Sequence, residues 1–538
     1  MSMNVAAHPT LPDTPAELKE IIGSLVQENE RYAEKNEHYV QENELLREQI
    51  RLLYATLYGK KSEKIAVGGD HPQLPLFDMP EPAELEPEPE SVEVPAHSRK
   101  KRGRKPLPDH VPRVEIIHDI DEADKQCGCG CRLKRCGEDV CEKLDIIPAV
   151  IQVIRHIRPK YACPSCEGLD TEGAVVKIAP PAKQIIPKGI ATAGLLAHVL
   201  TAKFCDALPF YRQEQQFRRL GVEIGRATMG NWAFTAAAAC RPVIDLLQQE
   251  IRSGPLITMD ETTVQVLDEP GRSATTKSYM WVCRGGLPDK PGIIYRYAPS
   301  RSSTVAESLV GDYTGVVQTD GYIGYDFLDT QPGIIHGGCL VHVRRKFRDA
   351  QKARGKAAQQ TGSSDVALNY IRTLYRIEKE MKHPDLSFDE AVKIRHEKAR
   401  PILTEFHAWL LKKTTQVVPK SLVGKAVSYA LNQWDRVLVY LDHGFMTPDN
   451  NQTENAIRPF VLGRKNWLFA GTPEGAQASA DLFSLIETAK ANGLEPYAYL
   501  HYLFEKLPFA SSKAEYRALL PMNLTPGDIV SGDVVTGV

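Results

Sequence analysis

Two stretches decide the fold: GPLITMDETTVQV at 254–266 and TGVVQTDGYIGYD at 314–326. The first runs through Pro-Leu-Ile-Thr-Met and delivers Asp260 near the end of a strand, and the second runs through Val-Val-Gln-Thr and delivers Asp320. Short apolar runs bounded by turn residues are the pattern of buried strands. Between them TKSYMWVCRGG (276–286) and GIIYRYAPS (292–300) predict a hairpin, and SSTVAESLVG (302–311) predicts a short helix. Downstream, DNNQTENAIRPFVLGRKNWLFAGTPEGA (449–476) predicts a helix carrying Glu454. Strands presenting carboxylates at one sheet edge, with a third acid on a helix packed against them, suit hard divalent cations. Mg²⁺ takes one or two carboxylates plus water and phosphate oxygens. Two such ions about 4 Å apart activate water or a 3′-hydroxyl and stabilise the departing oxygen of a phosphodiester. Glu261 and Asp326 stay open as alternative ligands, because a neighbouring strand residue faces the other side.

Working outward, the 133 residues between Asp320 and Glu454 exceed what a compact sheet needs, and DVALNYIRTLYRIEKEM and SFDEAVKIRHEKARPILTEFHAWLLKK read as helix. A helical insertion is expected over about 340–445. Its entry, HVRRKFRDAQKARGK, concentrates Arg344, Arg345, Lys346, Arg348, Lys352, Arg354 and Lys356. Beside a metal site suited to phosphodiesters, phosphate contact is the favoured role. His342 is a candidate to orient a phosphate or a nucleophile, with a structural role at least equal to it. Arg458, Arg464, Lys465 and Trp467 follow Glu454 closely enough to clamp DNA or stack a base.

Upstream, YRQEQQFRRLGVEIGRATMGNWAFTAAA reads as helix, a turn around Gly221–Gly225, and a second helix capped by Thr228. That outline fits a helix-turn-helix or a plain packed pair. Seven of the eleven cysteines lie between Cys127 and Cys166. In a chain with no export signal such a cluster indicates a metal site. Cys163 and Cys166 form a C-x2-C pair that grips zinc, with Cys127 and Cys129 as partners and Cys131 as the alternative to either.

The charges sum to 66 basic against 68 acidic, but they are segregated. EPAELEPEPESVE (81–93) is acidic and RKKRGRKP (99–106) is basic. Arg102, Arg104 and Lys105 around Gly103 resemble an AT-hook, an extended insert for a narrow A·T minor groove. A solvated basic tether is the equal alternative. From Leu18 to Leu57 a heptad frame holds, with Ile22, Asn29, Asn36, Asn43, Ile50 and Leu57 on one seam position and Leu18, Leu25, Tyr32, Tyr39, Leu46 and Leu53 on the other. This is a coiled-coil signal, and seam asparagines fix register in a parallel dimer. No window is apolar enough for a membrane span.

The expected chain is multidomain α+β. It comprises a coiled coil at 14–60, a disordered linker at 66–113, a zinc-binding domain at 114–180 and a helical DNA-binding segment at 185–250. A catalytic domain at 251–480 and a small C-terminal domain at 481–538 complete it. Strand-Asp, hairpin, helix, strand-Asp and later helix-Glu is the order of ribonuclease-H-like DDE transposases. The wording resembles one branch, the insertion sequence 66 family transposases. The phrases that carry the resemblance are GRKPLP (103–108), GEDVCEKLDIIPA (137–149), IRPKYACPSC (157–166), FCDALPFYRQEQ (204–215), MDET (259–262), TDGYIGYD (319–326), CLVHVRRKF (339–347), NNQTENAIRPFVLGRKNWLFAGT (450–472) and LIETAKANGLEPYAYLHYLFEKLP (485–508).

The resemblance implies a ribonuclease-H-like core with Asp260, Asp320 and Glu454 as the catalytic triad, holding two Mg²⁺ or Mn²⁺ ions, and structural Zn²⁺ at the cysteines. It implies cleavage at element ends and joining to target DNA, with DNA as partner and accessory proteins of the same element as a further partner class. A dimer or higher oligomer through the zipper and a cytoplasmic, nucleoid-associated location are expected. The alternatives are an inactive zinc-containing DNA-binding regulator and a metal-dependent nuclease that cleaves without joining.

Overall fold

The computed structural model describes residues 14–58, 151–162, 176–354, 362–383 and 386–529. The basic hook at 99–106, the linker and the clustered cysteines lie outside the described residues. The chain divides into one unit of 1–64 with 180–538 and another of 65–179. Within the second unit, β1 (Lys160–Ala162) and β2 (Val176–Ile178) pair antiparallel, Lys160 opposite Ile178.

In the larger unit, the heptad segment is one unbroken helix, α1 (Pro15–Tyr58). Its seam is exposed: Leu46 is 50%, Leu53 59% and Leu57 66% accessible. The residues that are half-buried are Leu45, Glu48 and Leu52, spaced to share the opposite side of the helix. Glu48 Oε2 accepts from the Leu422 backbone N–H at 3.2 Å, so this second side docks on the chain's own body. Among the described residues the zipper seam has no partner within the chain.

Four helices follow: α2 (Ala193–Phe204), α3 (Phe210–Arg219), α4 (Arg226–Ala239) and α5 (Arg241–Ile251). The helix–turn–helix outline is present in α3 and α4. The expected Thr228 cap is corrected: Gly225 is the N-cap, without a side-chain bond, and Thr228 sits inside the first turn. α4 buries Met229, Trp232, Ala233, Ala236 and Ala237 and leaves Arg226, Thr228 and Asn231 on its outer side.

The core is a five-stranded sheet of β3 (Leu256–Gln265), β4 (Lys277–Leu287), β5 (Lys290–Ala298), β6 (Gly315–Gln318) and β7 (Ile334–Gly337). The spatial order is β5-β4-β3-β6-β7, antiparallel across β5, β4 and β3 and parallel across β3, β6 and β7. The short helix α6 (Ser303–Val310) is the crossover between β5 and β6, its N-cap Ser302 accepting from the Thr304 N–H. An insertion of α7 (Leu340–Arg354), α8 (Ser363–Glu380), α9 (Phe388–Ile394), α10 (Arg400–Thr414), α11 (Leu422–Asn432) and α12 (Trp434–Leu438) builds its own core around Phe347, Leu374, Phe406 and Trp434. That core continues onto Val316 of β6, which fixes the insertion to the sheet.

After α13 (Asn451–Trp467), α14 (Pro473–Ala491) runs along the outer strand β5. Thr488 Oγ1 accepts from Ile293 N at 3.0 Å, Ser484 Oγ from Tyr295 N at 2.8 Å, and Gln477 Oε1 from Tyr297 N at 3.3 Å. One helix face thus satisfies alternate amides of a sheet edge that would otherwise invite another strand. The division expected at 480 falls within this helix. α15 (Pro496–Lys506) packs on α2 and α16 (Lys513–Ala518) on α5, in the same unit.

Candidate active site

β3 and β6 are in parallel register, Leu256 opposite Val316, Ile257 opposite Val317 and Thr258 opposite Gln318. Two residues beyond the last pair, on either strand, stand Asp260 and Asp320. The two acids therefore occupy the same level on neighbouring strands, whose spacing is about 4.8 Å. The sequence placed Asp260 near the end of its strand; β3 in fact continues to Gln265, because its far half still pairs with β4. Only the parallel partner stops, and the gap this leaves beside Asp260 is where Asp320 enters.

Alternation along β3 decides which acid faces which layer. Thr258, on the same side as Asp260, meets Thr453 of α13 through their hydroxyls. Asp260 therefore faces α13. Asn450, the residue before that helix, donates Nδ2–H to Met259 O at 2.8 Å and is 2% exposed, so the helix start is pinned to the strand. Glu454 lies in the first turn, where the helix dipole favours a carboxylate.

Burial raises the Asp260 carboxyl well above its ordinary value, and Glu261, Asp320 and Glu454 push it further. A single backbone bond, from Glu261 N to Asp260 Oδ1 at 2.9 Å, opposes this. Asp320 Oδ1 accepts from Tyr322 N at 3.0 Å. Its neighbour Thr319 bonds His336 Nε2 at 2.8 Å, and His336 Nδ1 bonds Asp329 at 2.7 Å, which together hold the loop from below. Gly321 is required for close approach: a Cβ there would lie 2.5 Å from the Tyr429 hydroxyl.

The alternative ligands are otherwise engaged. Glu261, on the far side of β3, bonds Arg301 and the Tyr325 hydroxyl. Asp326 pairs with Arg436 at 2.7 Å.

From α7, His342 Nε2 and Arg345 Nη2 stand 3.8 and 3.7 Å from Glu454 Oε1. Lys346 is exposed with its ammonium 5.5 Å from the Tyr429 ring centroid, and Arg344 is half-buried. Arg354 is tied to Asp365 at 2.6 Å within the insertion. Lys465 is exposed, while Arg464 turns inward to Thr263 Oγ1 at 3.1 Å. Arg458 has a buried Nε with no hydrogen-bond partner among the described residues.

Among the described residues, no three His, Cys, Asp or Glu side chains are already arranged as a metal-binding set. Glu454 reaches instead toward α7. The donor chemistry nonetheless fits a hard divalent ion: the groups are carboxylate oxygens, and the raised Asp260 shows a cluster short of positive charge.

The mixed sheet thus carries two acids at one level on neighbouring strands, and a third stands on the covering helix. Comparison with known sequences gives the family. The model described as transposase, IS66 family, matches residues 188–478, and one described as the zinc-finger binding domain of transposase IS66 matches 124–167. Further matches are "Transposase C of IS166 homeodomain" at 45–116 and the IS66 C-terminal element at 484–522.

The chain belongs to the IS66 transposase family. It is 32% identical over 504 residues to the uncharacterized protein y4jD of Sinorhizobium fredii, covering 89% of this chain and 94% of the relative. It is 30% identical over 494 residues to y4qI of the same organism, covering 89% of each. The zinc-finger match covers the clustered cysteines from Cys127 to Cys166 and supports structural zinc in that domain. No helix among the described residues is long and apolar enough to cross a membrane.

Proposed function

We propose that the chain is a DDE-type transposase with a ribonuclease-H-like catalytic core, cutting DNA at element ends and joining the freed 3′-hydroxyl to target DNA. The observation that carries this reading is the equal level of Asp260 and Asp320 on adjacent parallel strands, with Glu454 in the first turn of the helix covering that face. The order strand-Asp, hairpin, helix, strand-Asp, helix-Glu is the order found along β3 to α13.

Asp260 and Asp320 would hold divalent ions, Mg²⁺ or Mn²⁺, and Glu454 would complete the set. Such ions supply a nucleophile at neutral pH and stabilise the leaving oxygen. The chain's own residues do the remaining work. Asn450 and the Thr258–Thr453 contact fix α13 on the strand, so Glu454 stays opposite the two aspartates. The Thr319–His336–Asp329 chain keeps Asp320 at its level. Arg345 balances Glu454, His342 stands beside it, and both lie where phosphate oxygens would arrive. Lys346 and Lys465 extend a basic surface on either side, and the outer side of α4 offers Arg226, Thr228 and Asn231 to a groove. Pairing of two chains through the exposed α1 seam would bring two DNA ends together.

The test is strand transfer with Mg²⁺ or Mn²⁺ on duplexes carrying the ends of the DNA element that encodes the chain. Joined product from the wild type that vanishes in Asp260→Asn and Glu454→Gln supports the reading; equal product in those variants sinks it. Cleavage without joined product would leave a nuclease.

A further inference from the structure

α13 holds Glu454 in its first turn and Trp467 at its last residue, and a second feature gathers at that far end. Lys203 of α2, Phe210 of α3, Phe234 of α4, Trp467, Phe469 and Gly471 line a cleft of about 180 Å³. Pockets for drug-sized ligands run to roughly 300–1,000 Å³. This one has room for a single ring system.

Lys203 gives the cleft its character. Its ammonium lies 4.4 Å from the Phe210 ring centroid, 5.6 Å from Phe204 and 5.7 Å from Trp467. It makes no hydrogen bond or ion pair with a described residue. Ring faces recover part of the cost of placing a cation here, yet burial still pulls its pKa down to about 8. The missing partner is an anion or an acceptor edge. Phe234 and Phe469 are 41% and 43% exposed, an unusual state for phenylalanine that leaves flat apolar faces open. A Cβ at Gly471 would meet nothing within 4 Å, so the mouth is unfilled.

The cleft is also sewn to the strand of the acids. Ala470 N donates to Gln265 O at 2.9 Å and Asp268 N to Gly471 O at 2.9 Å, continuing β3 at its far end. Asp260 to Gln265 is about 17 Å along a strand at roughly 3.3 Å per residue. A DNA strand advances about 3.4 Å per nucleotide, so the separation is about five nucleotides.

We propose that this cleft binds one unpaired nucleotide of DNA, its base against the aromatic walls and a phosphate or carbonyl oxygen on the Lys203 ammonium, about five nucleotides from the phosphate at Asp260 and Asp320. The inference rests on the reading of the chain as an enzyme acting on DNA. It gives that enzyme a place to hold a strand locally opened near the reacting bond.

The experiment measures binding of the full chain to a labelled duplex and to the same duplex carrying one bulged thymidine, at fixed salt. The bulged duplex should bind about tenfold tighter, the scale of one stacked base. Lys203→Met and Gly471→Leu, which remove the cation and fill the mouth, should each cut that preference below about twofold while the paired duplex binds as before. A preference that is absent, or that survives in both variants, overturns the inference and leaves the DNA reading standing. Failure to bind either duplex overturns both. Thymidine monophosphate is the competitor: if it abolishes the preference when equimolar with the bulged duplex, the cleft serves free nucleotides and the assignment to DNA falls.

Discussion

The two sides of β3 treat adjacent carboxylates in opposite ways. On one side Glu261 is buried, and burial raises its pKa, but the Tyr325 hydroxyl and Arg301 pull it back. Arg301 in turn stacks 3.6 Å from the Tyr322 ring centroid, so that side is a closed network. On the other side Asp260 has burial and three carboxylates against it and one backbone N–H in its favour. A neutralised acid is scaffolding, whereas an acid left short of positive charge suits the metal-holding role proposed for it. The same division appears on α1, where Leu45, Glu48 and Leu52 settle on the body and the heptad seam stays exposed. In both elements the side that is left unfinished is the one the proposed function uses.

The largest expected effect breaks or keeps the contrast at β3. Asp260→Asn should reduce cleavage and joining by about a thousandfold or more, the scale of losing metal-borne stabilisation. Glu261→Gln should retain activity within about tenfold, measured on the same substrates. If the two variants lose activity equally, the assignment of faces is wrong.

Next comes the zipper. Leu46→Glu with Leu53→Glu puts charges into the exposed seam and should weaken self-association by about a hundredfold, read by sedimentation. The thermal midpoint of the body should stay put, because neither residue is on the docked side. A midpoint that falls together with the dimer would mean the seam packs on its own chain.

Third in size, Glu261→Ala strands Arg301 and the Tyr325 hydroxyl. Removing one member of a buried pair costs about 3–5 kcal/mol. The Arg301 side chain is 37% exposed and can regain water, so about 2 kcal/mol is expected, by denaturant unfolding.

What the sequence made legible follows from periodicity and order. The two aspartate strands, the hairpin, the crossover helix, the helical insertion and the long heptad helix are local patterns, and each appears where its pattern lies. The misses are long-range. Ser484 and Thr488 read as ordinary polar helix positions, and nothing local says they bond the amides of Tyr295 and Ile293, nearly two hundred positions earlier. The position expected to divide two domains, 480, lies within that helix. The Lys203 cleft escaped for the same reason, since its walls come from four separated segments. Trp467 was singled out for its nearness to Glu454, but a 17-residue helix places the two at opposite ends. The strand end was misjudged because an aspartate inside an extended run looks like a stop signal; cross-strand pairing with β4 overrides it.

The smallest effect tests whether the Asp260 side is short of positive charge at all. Its carboxyl is raised in the folded protein, so the folded state holds the proton more tightly than the unfolded state does. The stability it lends is full below the ordinary carboxylate value of 3.8 and is lost as pH rises through the higher folded value. At neutral pH the metal-free protein therefore carries a penalty that Asp260→Asn removes. The variant should melt about 2–4 °C higher than wild type without metal, equivalent to about 1 kcal/mol for a domain of this size. Adding Mg²⁺ should raise the wild-type midpoint by mass action and leave the variant where it was, closing the gap. A variant that melts lower than wild type in the absence of metal would show that Asp260 is compensated by its surroundings, and the contrast between the two sides of β3 would fail.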